Sequence, residues 1–96
     1  MKRKTINGKT YEVYTQADWN RDRELKVKVG QLIEPVVYWQ LLGAVPPQRM
    51  GEIFQVGEAY THNRKGEELF TTFRMVEPDI YEFVGLQTAD YELEKK

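Results

Sequence analysis

The sequence predicts a small α+β domain, in which an antiparallel sheet is packed by one short central helix. Three features of the chain lead to this prediction. An Asn-Gly pair near the amino terminus separates two strand-like segments, an apolar run follows Pro35, and three alternating segments make up most of the second half. A chain of 96 residues has the size of one domain, so we expect a single domain over residues 1–96.

The Asn7-Gly8 pair predicts a β-hairpin at the amino terminus. Both central residues of a type I′ turn need positive φ angles, which this pair accepts at little cost. We expect the strand Lys2–Ile6 to pair with Lys9–Tyr14, so that Arg3 lies opposite Glu12. The first strand is basic and should form an edge of the sheet, because lysine at an edge opposes pairing with another chain.

Weaker patterns connect the hairpin to the central apolar run. Thr15 and Asp18 match a helix-capping pattern, which would allow a helical turn over residues 17–23. The alternation of polar and apolar residues from Glu24 to Gly30 predicts a strand. A helix is the alternative for this segment, because its apolar residues also fit helical spacing.

The central helix is predicted over Pro35–Gly43. Proline suits the first helical position, where its missing N–H would have no partner. The run from Val36 to Leu42 has almost no polar face, so we expect the helix to be covered on several sides, with Trp39 in the core. A partner-binding helix is the alternative. Pro46-Pro47 then prevents the helix from continuing.

The second half of the chain predicts a three-stranded antiparallel meander. Its strands are expected at Ile53–Tyr60, Leu69–Val76 and Ile80–Leu86. One of the two intervening turns ends in glycine and the other contains proline, both of which favour turns. The tail, Thr88–Lys96, would form a short helix or a frayed end.

Composition excludes several classes of function. The chain has 14 basic and 15 acidic residues, so it has no general attraction to nucleic acid or to anionic membranes. It contains no cysteine and no serine, which excludes thiolate metal sites and both of these nucleophiles. We expect no metal, no cofactor, no signal peptide and no membrane span, since no apolar run approaches ~20 residues. A cytoplasmic location fits, and the sequence does not indicate an oligomeric state.

Glu58, Tyr60 and His62 are the best candidates for chemistry. They alternate along the predicted strand, so a carboxylate, a phenol and an imidazole would share one face. Such a set could support proton transfer. We favour a sheet face that ends at a solvated turn, and therefore expect no catalytic residues. A small enzyme remains an unfavoured alternative.

A surface for single-stranded nucleic acid is a second alternative. Five basic residues could contribute to it together with nearby aromatic side chains. They are Lys26, Lys28, Arg64, Lys65 and Arg74. Acidic residues interrupt each basic cluster, whereas nucleic-acid binding normally needs a discrete basic footprint, so we do not favour this function.

A protein-contact surface is the leading prediction. A loop stiffened by proline loses little entropy on binding, and arginine and methionine are favoured in interfaces. The predicted loop residues are Pro46, Pro47, Arg49 and Met50. The end of the following strand and the tip of its hairpin complete the predicted surface, with Glu58, Tyr60, His62, Arg64 and Lys65.

Two short motifs lie within residues 34–86: the corner Val45-Pro46-Pro47 and the strand from Phe54 to His62. They resemble motifs in a family of small proteins carried by bacterial phages and plasmids. The corner Val45-Pro46-Pro47 is similar to the LPP corner of that family. The strand from Phe54 to His62 is similar to its F-x-x-GEP-x-x-H pattern, with Ala59 in place of the usual proline. The resemblance implies an accessory role on a mobile element and no defined reaction. Proteins of this size from such elements often block a host defence protein, including CRISPR effectors, in the host cytoplasm.

Overall fold

The computed structural model describes residues 2–44, 52–89 and 91, with the side chains of residues 42–44 and 57–61 excepted. Within these ranges the chain forms an α+β fold with six strands and two helices. In chain order they are β1 (Lys2–Ile6), β2 (Lys9–Tyr14), α1 (Gln16–Asp22), β3 (Leu32–Ile33), α2 (Pro35–Ala44), β4 (Ile53–His62), β5 (Glu68–Glu77) and β6 (Ile80–Gln87). The strands make one sheet in the order β1-β2-β3-β6-β5-β4.

The amino-terminal hairpin is confirmed, and so is its register. Asn7 and Gly8 have φ angles of 50° and 81°, as the predicted turn requires. Arg3 lies opposite Glu12. The basic strand β1 ends the sheet on one side, as expected.

The sheet is mixed, and the prediction of a purely antiparallel sheet was wrong. β4, β5 and β6 form the expected antiparallel meander. The short strand β3 joins this meander to the hairpin, pairing parallel with β2 and antiparallel with β6. Parallel neighbours need a crossover of about a dozen residues or more. The segment between β2 and β3 contains α1 and is long enough to provide that crossover.

The helix α1 is confirmed, and it ends one residue before Arg23. The Thr15 hydroxyl accepts a hydrogen bond from the Asp18 amide, and the Asp18 carboxylate accepts one from the Thr15 amide at 2.9 Å. This reciprocal pair satisfies amide donors that would otherwise have no partner at the start of the helix. Arg23 ends the helix in the left-handed region, with a φ of 59°. The prediction of a single helix in the fold was therefore wrong.

The segment from Glu24 to Gly30 is irregular, and the prediction of a strand there was wrong. Leu25 and Val27 pack against the core, but Val29 is 70% exposed. The backbone of this segment is held by single contacts, such as the Lys26 amide donating to the Tyr14 hydroxyl at 3.3 Å. The chain crosses from α1 back to the sheet in this segment. Its alternation of polar and apolar residues therefore reflects side chains that pack on the core from a crossover, and not the hydrogen-bonded pairing of a strand.

The helix α2 was predicted correctly in position but not in its environment. Val37, Tyr38 and Leu41 are buried, whereas Val36 and Trp39 are 45% and 59% exposed. The expectation that Trp39 lies in the core was therefore wrong. Residues three and four apart share one side of a helix, and only the side that carries Val37 and Leu41 faces the sheet.

An aromatic core lies between α2 and one face of the sheet. The Tyr38 ring packs edge-on against Phe54 and Tyr81, with centroid distances of 5.8 and 5.3 Å. Phe54 lies 5.4 Å from Phe73, which is fully buried and contacts Phe83. These rings come from β4, β5 and β6, so this core fixes α2 across the meander.

The opposite face of the sheet carries a smaller apolar cluster. It consists of Ile6, Tyr11, Val13 and Leu32, with Val76 and Ile80 packed against it. Residues of β2 and β5 line one cleft on this face, although β3 and β6 lie between these strands in the sheet. Neither α1 nor α2, the helices of the described residues, is long and apolar enough to cross a bilayer.

Two alanine substitutions should separate the core from the exposed side of α2. Phe73→Ala should lower the free energy of unfolding by about 3–5 kcal/mol, because it empties a fully buried site. Trp39→Ala should lower it by less than about 1 kcal/mol, because most of that side chain is already in water. Urea unfolding followed by circular dichroism measures both values. Equal losses for the two variants would contradict this division of the helix.

Candidate functional site

The outward side of α2 is the candidate contact surface. Trp39 and Gln40 lie about one helical turn after Val36, and all three residues are exposed. The indole of Trp39 stacks on the ring of Tyr38, with centroids 5.5 Å apart and planes 30° from parallel. The surface therefore presents a large apolar side chain that already has a packing partner within the protein.

Tyr38 fixes the position from which Trp39 projects. It is 2% exposed, and its hydroxyl donates a hydrogen bond to the carbonyl of Asp79 at 3.4 Å. Burial raises the pKa of Tyr38, and the nearby charge of Asp79 adds to this effect. The phenol is therefore neutral at physiological pH and keeps its role as a donor.

Neutral polar groups border this surface. The side-chain amide of Gln16 donates to the side chain of Asn20 at 2.8 Å and to the side chain of Gln40 at 3.4 Å. The second contact links α1 to α2. The helix α2 contains no charged residue. An apolar centre with a polar border is the arrangement found at protein interfaces.

A cluster of ionisable side chains lies beside α1. The Tyr14 hydroxyl donates to the Asp22 carboxylate at 2.7 Å, and Arg21 contacts both Asp18 and Asp22 at 3.3 and 3.0 Å. They border a cavity of about 160 Å³ together with Glu12, Lys26 and other polar residues.

The charges of this cluster stabilise α1 and the crossover. Burial raises the pKa of Tyr14, and the hydrogen bond to Asp22 adds to that shift. The hydrogen bond from Arg21 lowers the pKa of Asp22, and the one from Tyr14 acts in the same direction. The groups are paired with one another, so they hold the local structure. The sequence showed the cap of α1 but gave no signal for the contact between Tyr14 and Asp22.

The predicted loop residues Pro46, Pro47, Arg49 and Met50 lie outside the described residues. The side chains of Glu58 and Tyr60 are also outside them. The prediction that these residues contact a partner therefore remains a prediction.

The strand β4 departs from regular pairing near its end. Gly57 pairs with Phe70 and His62 pairs with Glu68, so four residues of β4 lie opposite Leu69 alone. The expectation that Glu58, Tyr60 and His62 share one face stays a prediction, because the side chains of Glu58 and Tyr60 lie outside the described part of the chain. His62 is exposed at the end of the strand.

The turn between β4 and β5 presents Arg64 and Lys65 to solvent. The Asn63 side-chain oxygen accepts hydrogen bonds from the amides of Lys65 and Glu67, at 2.9 and 3.0 Å. Gly66 follows with a φ of 82°, which favours glycine. These contacts give the turn a defined shape.

The structure does not bring together the five basic residues of the predicted nucleic-acid surface. Lys26 and Lys28 border the cavity beside α1 with Glu12, Asp18 and Asp22. Arg74 is paired with Glu82 at 3.4 Å and lines a cleft on the face of the sheet that lacks α2. A different basic set, which includes Lys4 and Lys9, shares that face with Arg74.

No group of three or more histidine or acidic side chains is placed to hold a metal ion in the part of the chain that the structure describes. Comparison with protein-family models, with curated proteins and with solved structures finds no match. The geometry of the chain itself must therefore support any assignment of function.

The Asp18 carboxylate should make folding sensitive to acid. The hydrogen bond from the Thr15 amide lowers its pKa below the ordinary value of 3.8. Its contribution to stability is therefore fully present above pH 3.8 and is lost as the pH falls through the lower folded value. Asp18→Asn should be less stable at neutral pH and lose less stability on acidification than the wild type.

Urea unfolding at neutral pH and below pH 3.8 tests this expectation. Glu52→Gln is a suitable control, because Glu52 is an exposed carboxylate outside the cluster. If Asp18→Asn and the wild type lose stability in parallel on acidification, Asp18 does not carry this dependence.

Proposed function

We propose that the protein is a non-enzymatic binding module that acts by contacting another protein. The observation that carries this proposal is the exposed Trp39 on the outward side of α2. An indole that is 59% exposed has no role in the core. Tryptophan is among the residues that most often dominate the energy of protein interfaces.

The setting of Trp39 favours binding for a second reason. Its ring rests on Tyr38, which is buried and hydrogen-bonded. A side chain that is already held in position loses less conformational entropy when a partner covers it. Val36 extends the apolar surface by one helical turn, and Gln40 supplies a polar border.

The proposed surface includes residues predicted from the sequence. Pro46, Pro47, Arg49 and Met50 follow α2 directly in the chain, and we include them in the contact surface. His62, Arg64 and Lys65 form an exposed second patch at the end of β4 and the turn after it. We include Glu58 and Tyr60 with that patch because they precede it on the same strand.

The proposed biological role is that of an accessory protein of a mobile genetic element. The resemblance to small phage and plasmid proteins supports this role, as does the lack of reactive groups on the α2 surface. Such a protein would act in the host cytoplasm by covering a functional surface of a defence protein, such as a CRISPR effector. The fold alone does not imply this role.

Paired variants can test whether the α2 surface binds a protein. Trp39→Ala should weaken binding to a purified partner about thirtyfold or more, because loss of an interface hot spot removes about 2 kcal/mol or more. Leu86→Ala is the matched control, since Leu86 is an exposed apolar residue that is not on α2. The partner would be identified from proteins captured by the wild type and Leu86→Ala but not by Trp39→Ala. Its affinity would then be measured by calorimetry.

A cellular assay tests the proposed role. Bacteria with an active CRISPR system would express the wild type, Trp39→Ala or Leu86→Ala before infection with a targeted phage. The wild type and Leu86→Ala should restore infection, and Trp39→Ala should not.

In the capture experiment, equal capture of all proteins by Trp39→Ala and the wild type would contradict binding through the α2 surface. Unchanged immunity with the wild type would contradict the role against CRISPR effectors.

A further inference from the structure

The face of the sheet that lacks α2 carries a row of basic side chains. Lys2, Lys4 and Ile6 lie on this face of β1, because they are opposite Val13, Tyr11 and Lys9 in the register of the hairpin. Tyr11 and Val13 belong to the apolar cluster of this face. The two lysines therefore lie beside apolar side chains, on the face of the hairpin opposite to the one that carries Arg3 and Glu12.

Two adjacent clefts follow this row. The larger has a volume of about 410 Å³ and is lined by Ile6, Asn7, Lys9, Tyr11, Arg74, Met75 and Val76. The smaller has a volume of about 240 Å³ and reaches the first residue of α2; it is lined by Lys2, Lys4, Val13, Leu32, Ile33, Glu34, Pro35 and Ile80. Lys2 and Lys4 line one cleft and Ile6 the other, so the clefts follow one another along β1. Together they form a groove with basic and apolar walls.

Positive charge is in excess in this groove. Lys2 is paired with Glu34 at 3.2 Å, and Arg74 is paired with Glu82 at 3.4 Å. Among the described residues, Lys4 and Lys9 have no carboxylate partner within ion-pair distance, although the Lys9 ammonium lies 4.9 Å from the centre of the Tyr11 ring. The groove keeps this excess in a chain whose net charge is −1. Its charge therefore favours an anionic ligand.

We propose that this groove binds an extended acidic segment of a partner protein. Carboxylates of the segment would contact Lys4 and Lys9, and its apolar side chains would pack against Ile6 and Val76. An extended chain presents successive side chains in opposite directions, so every second residue could enter the groove. This inference concerns a different face from the Trp39 surface and does not depend on it.

A peptide suits the groove better than a nucleic acid does. Single-stranded nucleic acid is bound by exposed aromatic rings on which bases stack, together with a basic track. Tyr11 is the aromatic residue among those lining the larger cleft, and it is only 9% exposed, with Lys9 over its ring. The groove thus provides ammonium groups and aliphatic walls, which match acidic and apolar side chains.

Binding of defined probes to the full chain tests this inference. The positive probe is a short labelled peptide that repeats Glu-Thr-Leu-Thr, because in an extended chain its glutamates and leucines then lie on the same side and can enter the groove together. Its controls are the same peptide with glutamine in place of glutamate, and an oligothymidylate. Fluorescence anisotropy gives the affinities, and amide chemical shifts locate the site. The glutamate peptide should bind, with shifts in residues 2–13 and 74–76, and the glutamine peptide should not.

Charge-reversal variants give the decisive comparison. The double variant Lys4→Glu and Lys9→Glu should weaken peptide binding about tenfold or more, because it replaces attraction by repulsion. The double variant Lys26→Glu and Lys28→Glu makes the same change in net charge beside α1 and should bind as the wild type does. Trp39→Ala should also bind normally, which separates this site from the proposed α2 surface.

Three outcomes would overturn the inference. The first is no binding of the glutamate peptide at low salt. The second is an equal loss of peptide affinity in the two double variants, which would show that the peptide responds to net charge and not to a site in the groove. The third is tighter binding of the oligothymidylate than of the peptide, which would assign the groove to nucleic acid.

Discussion

The packing of Tyr38 between α2 and the meander is the contact on which the rest of the structure depends. Its ring meets Phe54 from β4 and Tyr81 from β6, and its hydroxyl reaches the carbonyl of Asp79 in the turn between β5 and β6. Because aromatic pairs combine a large buried area with a preferred geometry, this one residue fixes both the distance and the rotation of α2. The rotation in turn decides that Trp39 faces solvent.

This constraint explains why one helix can serve both stability and binding. Val37 and Leu41 complete the core on the inner side of α2, and Val36 and Trp39 remain outside. The proposed contact surface therefore rests on a helix that is packed against the aromatic core, which limits the entropy lost on binding. The larger cleft of the basic groove lies on the other face of the same sheet, and the smaller one reaches Pro35 at the start of α2.

Local sequence patterns predicted those parts of the fold that short-range chemistry controls. The Asn7-Gly8 turn needs particular φ angles, and the cap at Thr15 needs a hydroxyl and a carboxylate at fixed spacing, so both could be found from sequence. The segment from Glu24 to Gly30 alternates like a strand, yet its position depends on a crossover over the sheet. Pairing of β3 with β2 and β6 likewise involves distant residues that no local pattern specifies.

The candidate sites were harder to predict for the same reason. An apolar run such as that of α2 does not show which side meets the sheet, so Trp39 was expected in the core. The most direct measurement is the accessibility of Trp39 to a neutral quencher, with Trp19→Phe removing the other indole. An exposed Trp39 should show water-like emission and efficient quenching in the free protein, and protection when a partner binds. A blue-shifted, poorly quenched indole in the free protein would contradict the exposed surface on which the proposed function rests.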